Sequence, residues 1–500
     1  MRYIASREEM QRIDAYSIQE IGIPGMVLME KAAMSMEEEI LSRFEKKTSF
    51  LIVTEKGNNG GDGLALGRLL MEKGYRVRIY EIGGVSRASE SYKTQRMILN
   101  QLGISVEDRL PEEEFDVIID AVFGVGLTRE VTGIQKEVLE ELNHRDSYRI
   151  AVDLPSGVDA GSGQILGLAF MADLTITFGL EKVGLLLYPG ATCCGEIVVK
   201  DIGFPELAVR KISPAVYTYD LSDLTRIAER KPWSNKGTYG KVLMVAGARN
   251  MAGAACLAGE AAYRSGSGLI RLFSCEENRL ILQSLLPEAI LTTYKGEEDA
   301  LSALQEAISW ASVIGFGPGL GTGALTEKMM GMILSEGKVP LVIDADGINV
   351  LAQLKAEESP LWRAFKNYKH GIILTPHLME MSRLCRKSVE EIKGSLIDTA
   401  RGLSDAGHII VLKDARTIVA DGSGTSYLNT SGNHGMSVGG SGDVLTGVIC
   451  GLLAGGTELA EAARLGVYIH GLAGDYAAGQ TGFHALLARD IIHGLMEVLP

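Results

Sequence analysis

The chain has 500 residues, 46% of them hydrophobic and only 6% aromatic, with 60 Gly and a formal net charge of -14. That length exceeds one ordinary domain of roughly 150 residues, and the glycine-rich, aromatic-poor balance is that of an α/β enzyme with many tight strand-to-helix turns. The acidic balance argues against nucleic acid and anionic membranes as partners, no apolar run reaches the roughly 18 residues of a membrane span, and the polar start MRYIASREEMQRID is unlike a signal peptide, so a cytoplasmic protein is expected. Six Cys include no CxxC pair, and adjacent Cys193 and Cys194 are poorly placed to bridge, so neither zinc site nor redox couple is expected.

Residues Arg7 to Phe44 carry apolar positions at helical spacing, interrupted at Gly22, Pro24 and Gly25, which predicts two helices ahead of the sheet. Ser49 to Thr54 (SFLIVT) reads as a buried parallel strand, followed by a turn, Gly57-Asn58-Asn59-Gly60-Gly61-Asp62-Gly63, and a helix over Leu64 to Lys73. Further strands are predicted at Tyr75 to Tyr80, at Phe115 to Ala121 and at Arg149 to Val152. The second of these ends on Asp120 and runs into Phe123-Gly124-Val125-Gly126-Leu127-Thr128-Arg129; the third ends on Asp153 and continues as Leu154-Pro155-Ser156. In a doubly wound sheet such loops converge at the carboxyl edge, so Asn59, Asp120, Asp153 and Ser156 can share one site; any one alone reads better as a helix cap, but together they favour a site. Lys182 reads either as a site residue or as a solvated loop lysine. The strict GxGxxG fingerprint is absent, which weighs against a nicotinamide dehydrogenase.

The pattern frays between Val209 and Asp220, dividing the chain into residues 1–212 and 213–500. The second part resumes with a strand at Lys241 to Ala246, a helix at Ala252 to Ser265 and strands at Gly268 to Ser274, Ala311 to Gly315, Pro340 to Asp344, Ile372 to Leu374 and His408 to Leu412. Polar or glycine-rich loops follow them: Gly317-Pro318-Gly319, Ala345 to Asn349, Thr375-Pro376-His377 and Lys413-Asp414-Ala415-Arg416-Thr417. Strands alternating with helices imply a largely parallel sheet covered on both faces. Near the end, GNHGMSVGGSGDVLTG (Gly432 to Gly447) places five Gly ahead of Asp443 and passes into an apolar helical run. Glycines let backbone N–H groups turn toward an anion and the helix start adds partial positive charge. An acid beside bound phosphate points to a general base acting on an attacking hydroxyl; the plainer reading is a helix capped by Asp443.

The segments GNNGGDG, DAVFGVGL, VDLPSGVDA and LTITFGLEKVGLLLYPG, between about Arg7 and Ile202, resemble the YjeF-type NAD(P)HX epimerase domain, a Rossmann-like three-layer sandwich. The run GNHGMSVGGSGDVLTG resembles the signature of the ADP-dependent NAD(P)HX dehydratases, members of the ribokinase-like superfamily. The first resemblance implies a K+ ion held by Asn59, Asp120 and Ser156, a hydrated dinucleotide (NADHX or NADPHX) held by Asn58, Asn59, Gly60, Gly61 and Asp62 and by Gly124 to Glu130, and Asp153 as acid/base. The second implies Asp443 as catalytic base, Gly319 and His377 against the substrate, and Mg2+ with ADP held by Lys413, Asp414, Ala415, Arg416, Thr417, Asn433, Gly440, Ser441 and Gly442. Asp344 and Asn349 are further candidates for placing substrate or Mg2+, and His470 reads as structural. The chain departs from the pattern at Asn235, where the family has His, at Leu378-Met379, where it has Pro-Gly, and at His434, where it has Pro. A homo-oligomer is expected. Two other readings stand beside this one: a ribokinase-like small-molecule kinase fused to a dinucleotide-binding domain, and a binding module with one degenerate half.

Overall fold

Alternate side chains of the strand Ser49–Thr54 enter two different cores. In the computed structural model, which describes residues 1–83 and 88–499, Phe50 and Ile52 pack with Leu28, Met36, Ile40, Leu64 and Leu70, whereas Leu51 and Val53 pack with Val138, Leu139, Leu142 and Phe170. Burial on both faces is why the strand is an unbroken apolar run. Among the described residues the sheet has six strands, in the order Arg76–Glu81, Ser49–Thr54, Val117–Ala121, Tyr148–Val152, Leu174–Phe178 and Glu196–Lys200, paired in parallel throughout. Helices Gly25–Arg43 and Asn58–Glu72 cover one face and Gly133–His144 the other. Ser49–Thr54 has its successor on one side and Val117–Ala121 on the other, so its carboxyl end is a switch point where a crevice opens.

The turn expected at Gly57 to Gly63 is instead the first two turns of the helix Asn58–Glu72, with Gly57 as its extended N-cap. Glycine costs up to about 1 kcal/mol per helical position relative to Ala, but packing overrides that cost. A Cβ at Gly60 would lie 1.7 Å from the Glu55 carbonyl oxygen, one at Gly63 2.5 Å from Ala121 Cβ, and one at Gly67 2.6 Å from Ile79 Cδ1. Two helices do precede the sheet, Arg7–Gln19 and Gly25–Arg43. An unforeseen strand, Arg2–Ala5, precedes both, and its Ile4 and Ala5 pair with Glu181 and Lys182.

The chain divides into two compact units, Tyr3–Val216 and Tyr217–Pro500, the latter taking in Met1–Arg2. In the second unit the parallel order is Ile290–Tyr294, Leu269–Cys275, Lys241–Val245, Val313–Phe316, Leu341–Ile343, Ile372–Leu374 and His408–Leu412. A hairpin, Ile418–Ala420 and Ser426–Leu428, extends this sheet antiparallel and was not legible in the sequence. Helix Ser441–Ala454 is buried from Val444 onward. It lies tightly on Ala252–Arg264: a Cβ at Gly447 would come within 2.2 Å of the Ala258 carbonyl oxygen. The loop Ala345 to Asn349 is mostly helix, since Asp346–Ala356 starts directly after Ala345, which takes φ +47°. All six cysteines are free, five of them buried. Among the described residues no helix is long and apolar enough to cross a membrane.

Candidate active sites

At the switch point of the first sheet lies a cavity of about 710 Å³. Its wall takes Asn58, Asn59 and Asp62 from the start of a helix, Gly124, Val125, Gly126, Leu127, Thr128 and Arg129 from the loop after Val117–Ala121, Asp153 from the end of Tyr148–Val152, and Lys182. Asp153 adopts φ +67°, a conformation that L residues occupy at a cost of about 1–3 kcal/mol. Three donors hold its Oδ1: Lys182 Nζ, Thr177 Oγ1 at 3.0 Å and Phe178 N at 3.2 Å. Lys182 is 1% exposed and also donates to Thr177 Oγ1 and to the Phe178 carbonyl, each at 2.8 Å. It is therefore no solvated loop lysine. Burial pulls its ammonium down, with Asp153 and then Asp62 opposing. The Asp62 carboxyl is pushed well above the ordinary carboxylate range, first by burial and then by Asp153 and Asp14, against Lys182.

Asp120 and Ser156 stand behind this wall, fully buried. Asp120 accepts from Ser156 N and Ser156 Oγ, both at 2.7 Å, and from Val122 N at 3.1 Å; Ser156 Oγ in turn accepts from Phe123 N at 2.7 Å. Burial pushes the Asp120 carboxyl up to about 6 despite those donors, and it forms no ion pair among the described residues. Asn59 Nδ2 is buried without a partner, and its Oδ1 would lie 3.1 Å from a Cβ at Gly124. Gly60 and Gly61 serve packing, the latter against Met29, and Glu130 is exposed and outside the cavity wall.

In the second unit Asp344, at the end of Leu341–Ile343, is 1% exposed and pairs with Lys413 Nζ at 2.7 Å. Thr375 Oγ1 donates to the same carboxylate at 2.7 Å and Thr446 Oγ1 at 2.8 Å. Asp344 is thus tied to Lys413, Thr375 and Thr446 through both its oxygens. Gly440 takes φ +93° and caps helix Ser441–Ala454. Ser441 N turns back to the Val438 carbonyl at 3.3 Å, while the N–H groups of Gly440 and Gly442 find no backbone acceptor among the described residues. A Cβ at Gly442 would stand 3.3 Å from Lys413 Nζ, so the ammonium lies close against this first turn of the helix. Asp443, in the same first turn, has its carboxyl pushed up to about 7, first by burial and then by Asp344, with Lys413 opposing and Asp346 adding. Burial lowers Lys413, but Asp344, Glu380 and Asp443 hold it above its ordinary value.

His377 caps helix Leu378–Cys385: its Nδ1 accepts from Met379 N at 3.1 Å and Glu380 N at 3.3 Å, and Glu380 Oε2 accepts from His377 N at 2.9 Å. The capping box survives the Leu378-Met379 departure because backbone N–H groups, not those side chains, form it. Asn433 is engaged in holding its loop, accepting from Gly435 N at 3.0 Å and donating to the Gly474 carbonyl at 3.0 Å and to Asp475 Oδ1 at 2.8 Å. Gly319 takes φ +60° and its carbonyl accepts from Ala248 N at 2.6 Å. Asp414 and Thr417 are half-buried and Ala415 exposed; Arg416 donates to the Thr430 carbonyl at 3.1 Å. Asn349 is held by Arg383 at 2.7 Å. His470 is buried 3.5 Å from Ser441 Oγ and its imidazole is pulled down to about 4 by burial.

The family profile described as NAD(P)H-hydrate dehydratase matches residues 242–496, and that described as YjeF-related protein N-terminus matches residues 25–184. Over 99% of this chain and 96% of the relative, 35% of residues are identical to the bifunctional NAD(P)H-hydrate repair enzyme of Thermofilum pendens. The chain belongs to this family. A second such enzyme, from Coxiella burnetii, is 32% identical over 98% of each chain. A ribokinase-like superfamily protein from Enterococcus faecalis, solved by crystallography, aligns over 57% of this chain and 95% of its own with 30% identity and a TM-score of 0.50. The second unit is thus ribokinase-like and the first, a parallel six-stranded sheet between helices, Rossmann-like. Lys182 was weighed too low because its role depends on Asp153, 29 residues away, and the cavity wall formed by helix Arg7–Gln19 was missed because no motif marks it.

Proposed function

We propose that the first unit interconverts the R and S epimers of NADHX and NADPHX, and that the second dehydrates the S epimer with ADP, giving NAD(P)H, AMP and phosphate. The observation that carries this reading is Asp443: a carboxyl pushed up to about 7, one residue beyond a free N–H and beside a half-buried lysine, is equipped to act as a base near neutral pH.

In the dehydratase site Asp443 takes the proton of the hydroxyl at ring carbon 6, and that oxygen attacks the terminal phosphorus of ADP. Gly440 and Gly442 N–H and the Lys413 ammonium hold the charge on the transferring group, and AMP leaves. Phosphate then departs as the ring-nitrogen lone pair forms a C=N bond, and loss of a proton from the neighbouring carbon restores the ring double bond. Mg2+ would be held chiefly by the ADP phosphates and would supply charge neutralisation on the transferring group.

In the epimerase site Asp153, held by Lys182, exchanges protons with the carbon-6 hydroxyl as the C–O bond opens to the iminium and recloses on the other face, with no redox step. The oxygen donors of Asn59, Asp120 and Ser156 suit K+. The fit rests on Asp120, a buried carboxylate without a countercharge; K+ would supply that charge beneath the loop Phe123 to Arg129.

The two assignments separate by mutation. Asp443→Asn abolishes nucleotide-dependent recovery of NADH and leaves R-to-S conversion intact; Asp153→Asn does the reverse. Loss of both activities from either folded variant contradicts the reading.

A further inference from the structure

The cavity wall includes a helix from outside the family-matched segment. Residues 25–184 match the YjeF-related profile, yet Met10, Gln11, Asp14 and Ile18 of helix Arg7–Gln19 line the cavity. This helix is firmly placed. Ser6 and Glu9 form a capping box at its start, Arg7 pairs with Asp159, and the strand before it pairs Ala5 with Lys182, the lysine that holds Asp153.

Asp14 is the chemically conspicuous group on that helix. It is half-buried, its carboxyl is raised by burial, and neither it nor Asp62 has a hydrogen-bond donor or ion-pair partner among the described residues. Both line the cavity, so their acceptor oxygens are open to a ligand's donors with no protein donor to displace. Asp62 senses Asp153, Asp14 and Lys182. The cations on the cavity wall are Lys182, which is engaged with Asp153, and Arg129; Glu55 lies between Arg129 and Lys56 in charge influence. A dinucleotide's pyrophosphate therefore belongs beside Arg129. The half bearing the reactive ring belongs beside Asp153, where Asp14 and Asp62 offer acceptors only.

We propose that Asp14 is a substrate-binding residue of the epimerase site, accepting hydrogen bonds from the ribose hydroxyls of the nicotinamide-riboside half of the hydrated dinucleotide. A carboxylate presents two acceptors to a cis-diol's two donors, the same logic by which an acid reads a ribose in dinucleotide-binding folds. That diol is common to NADHX and NADPHX, whereas the 2′-phosphate lies on the other ribose. The acidic wall is consequently blind to the 2′-phosphate. This inference rests on the epimerase reading given above.

The test uses the full chain without nucleotide, which keeps the dehydratase idle, and follows R-to-S conversion by chromatography for wild type, Asp14→Asn and Asp153→Asn. Asp14→Asn is expected to raise KM about tenfold or more, by the same factor for NADHX and NADPHX, with kcat within about twofold. Because Asp14 has no partner to lose and repels Asp62, the melting temperature is expected to hold or rise. An unchanged KM overturns the proposal, as does a KM change for only one substrate, which would place the adenosine ribose at this wall. A lowered melting temperature with unchanged KM overturns it in favour of a structural role. If wild type itself fails to convert, or Asp153→Asn converts normally, the epimerase reading fails and the proposal with it. If both behave as expected and only Asp14→Asn is silent, this inference alone fails.

Discussion

Lys413 Nζ lies 2.7 Å from Asp344 Oδ1, and the pair stands directly against the backbone of Gly442, one residue before the proposed base. That placement ties the electrostatics of two strand ends to one reacting position. Asp344 raises the Asp443 pKa and Lys413 lowers it, so the two charges set the base in opposite directions.

The dehydratase rate is expected to rise with pH through about 7, as the Asp443 carboxyl loses its proton. Lys413→Met removes the opposing cation, and the limb then moves to higher pH while the KM for ADP rises at least tenfold. A pH profile of ADP-dependent NADH recovery for both proteins checks this; a limb that stays in place means Asp443 and Lys413 are not coupled.

Asp443→Asn is expected to stabilise the protein above neutral pH. The folded carboxyl keeps its proton to about pH 7, whereas the unfolded one loses it near 3.8. The folded state therefore binds more protons between those values, and stability falls as pH rises across them. The variant escapes that loss, so its melting temperature should exceed that of wild type at pH 8 and match it near pH 4.

Lys182→Met leaves the Asp153 carboxylate without its buried cation. Epimerisation is expected to fall by two orders of magnitude or more while ADP-dependent dehydration of pure S epimer is unchanged. Comparable epimerase activity in the variant would return Lys182 to a packing role.

Gly60→Ala places a methyl group 1.7 Å from the Glu55 carbonyl oxygen. The helix start and the cavity wall must shift, at a cost of several kcal/mol, in the upper range for single substitutions. Thermal unfolding of the variant measures it.

Much of this arrangement was legible because its signals are local. SFLIVT, IIL and HIIVL are fully buried strands, and their apolar runs gave their bounds without ambiguity. Asp120 and Asp153 could be placed at the rim of the first sheet, and Asp344 and Lys413 at that of the second, because each stands at the end of such a strand. The start of helix Asn58–Glu72 was missed because GNNGGDG has the composition of a turn, and only contacts with Glu55, Ala121 and Ile79 explain those glycines. Lys182 was left undecided and Asp14 was missed for a related reason. Lys182 owes its role to a carboxylate 29 residues upstream, and Asp14 faces a cavity built almost wholly from later segments.

The most direct test of the bifunctional reading follows nicotinamide absorbance in an R and S mixture of hydrated NADH, with ADP, with ATP and with neither, against a timed control for spontaneous epimerisation. Complete recovery with ADP, accompanied by stoichiometric phosphate and faster than the spontaneous limit, is expected, because the R form is repaired only after conversion to S. No recovery with either nucleotide, or accumulation of a stable phosphorylated product, would contradict it.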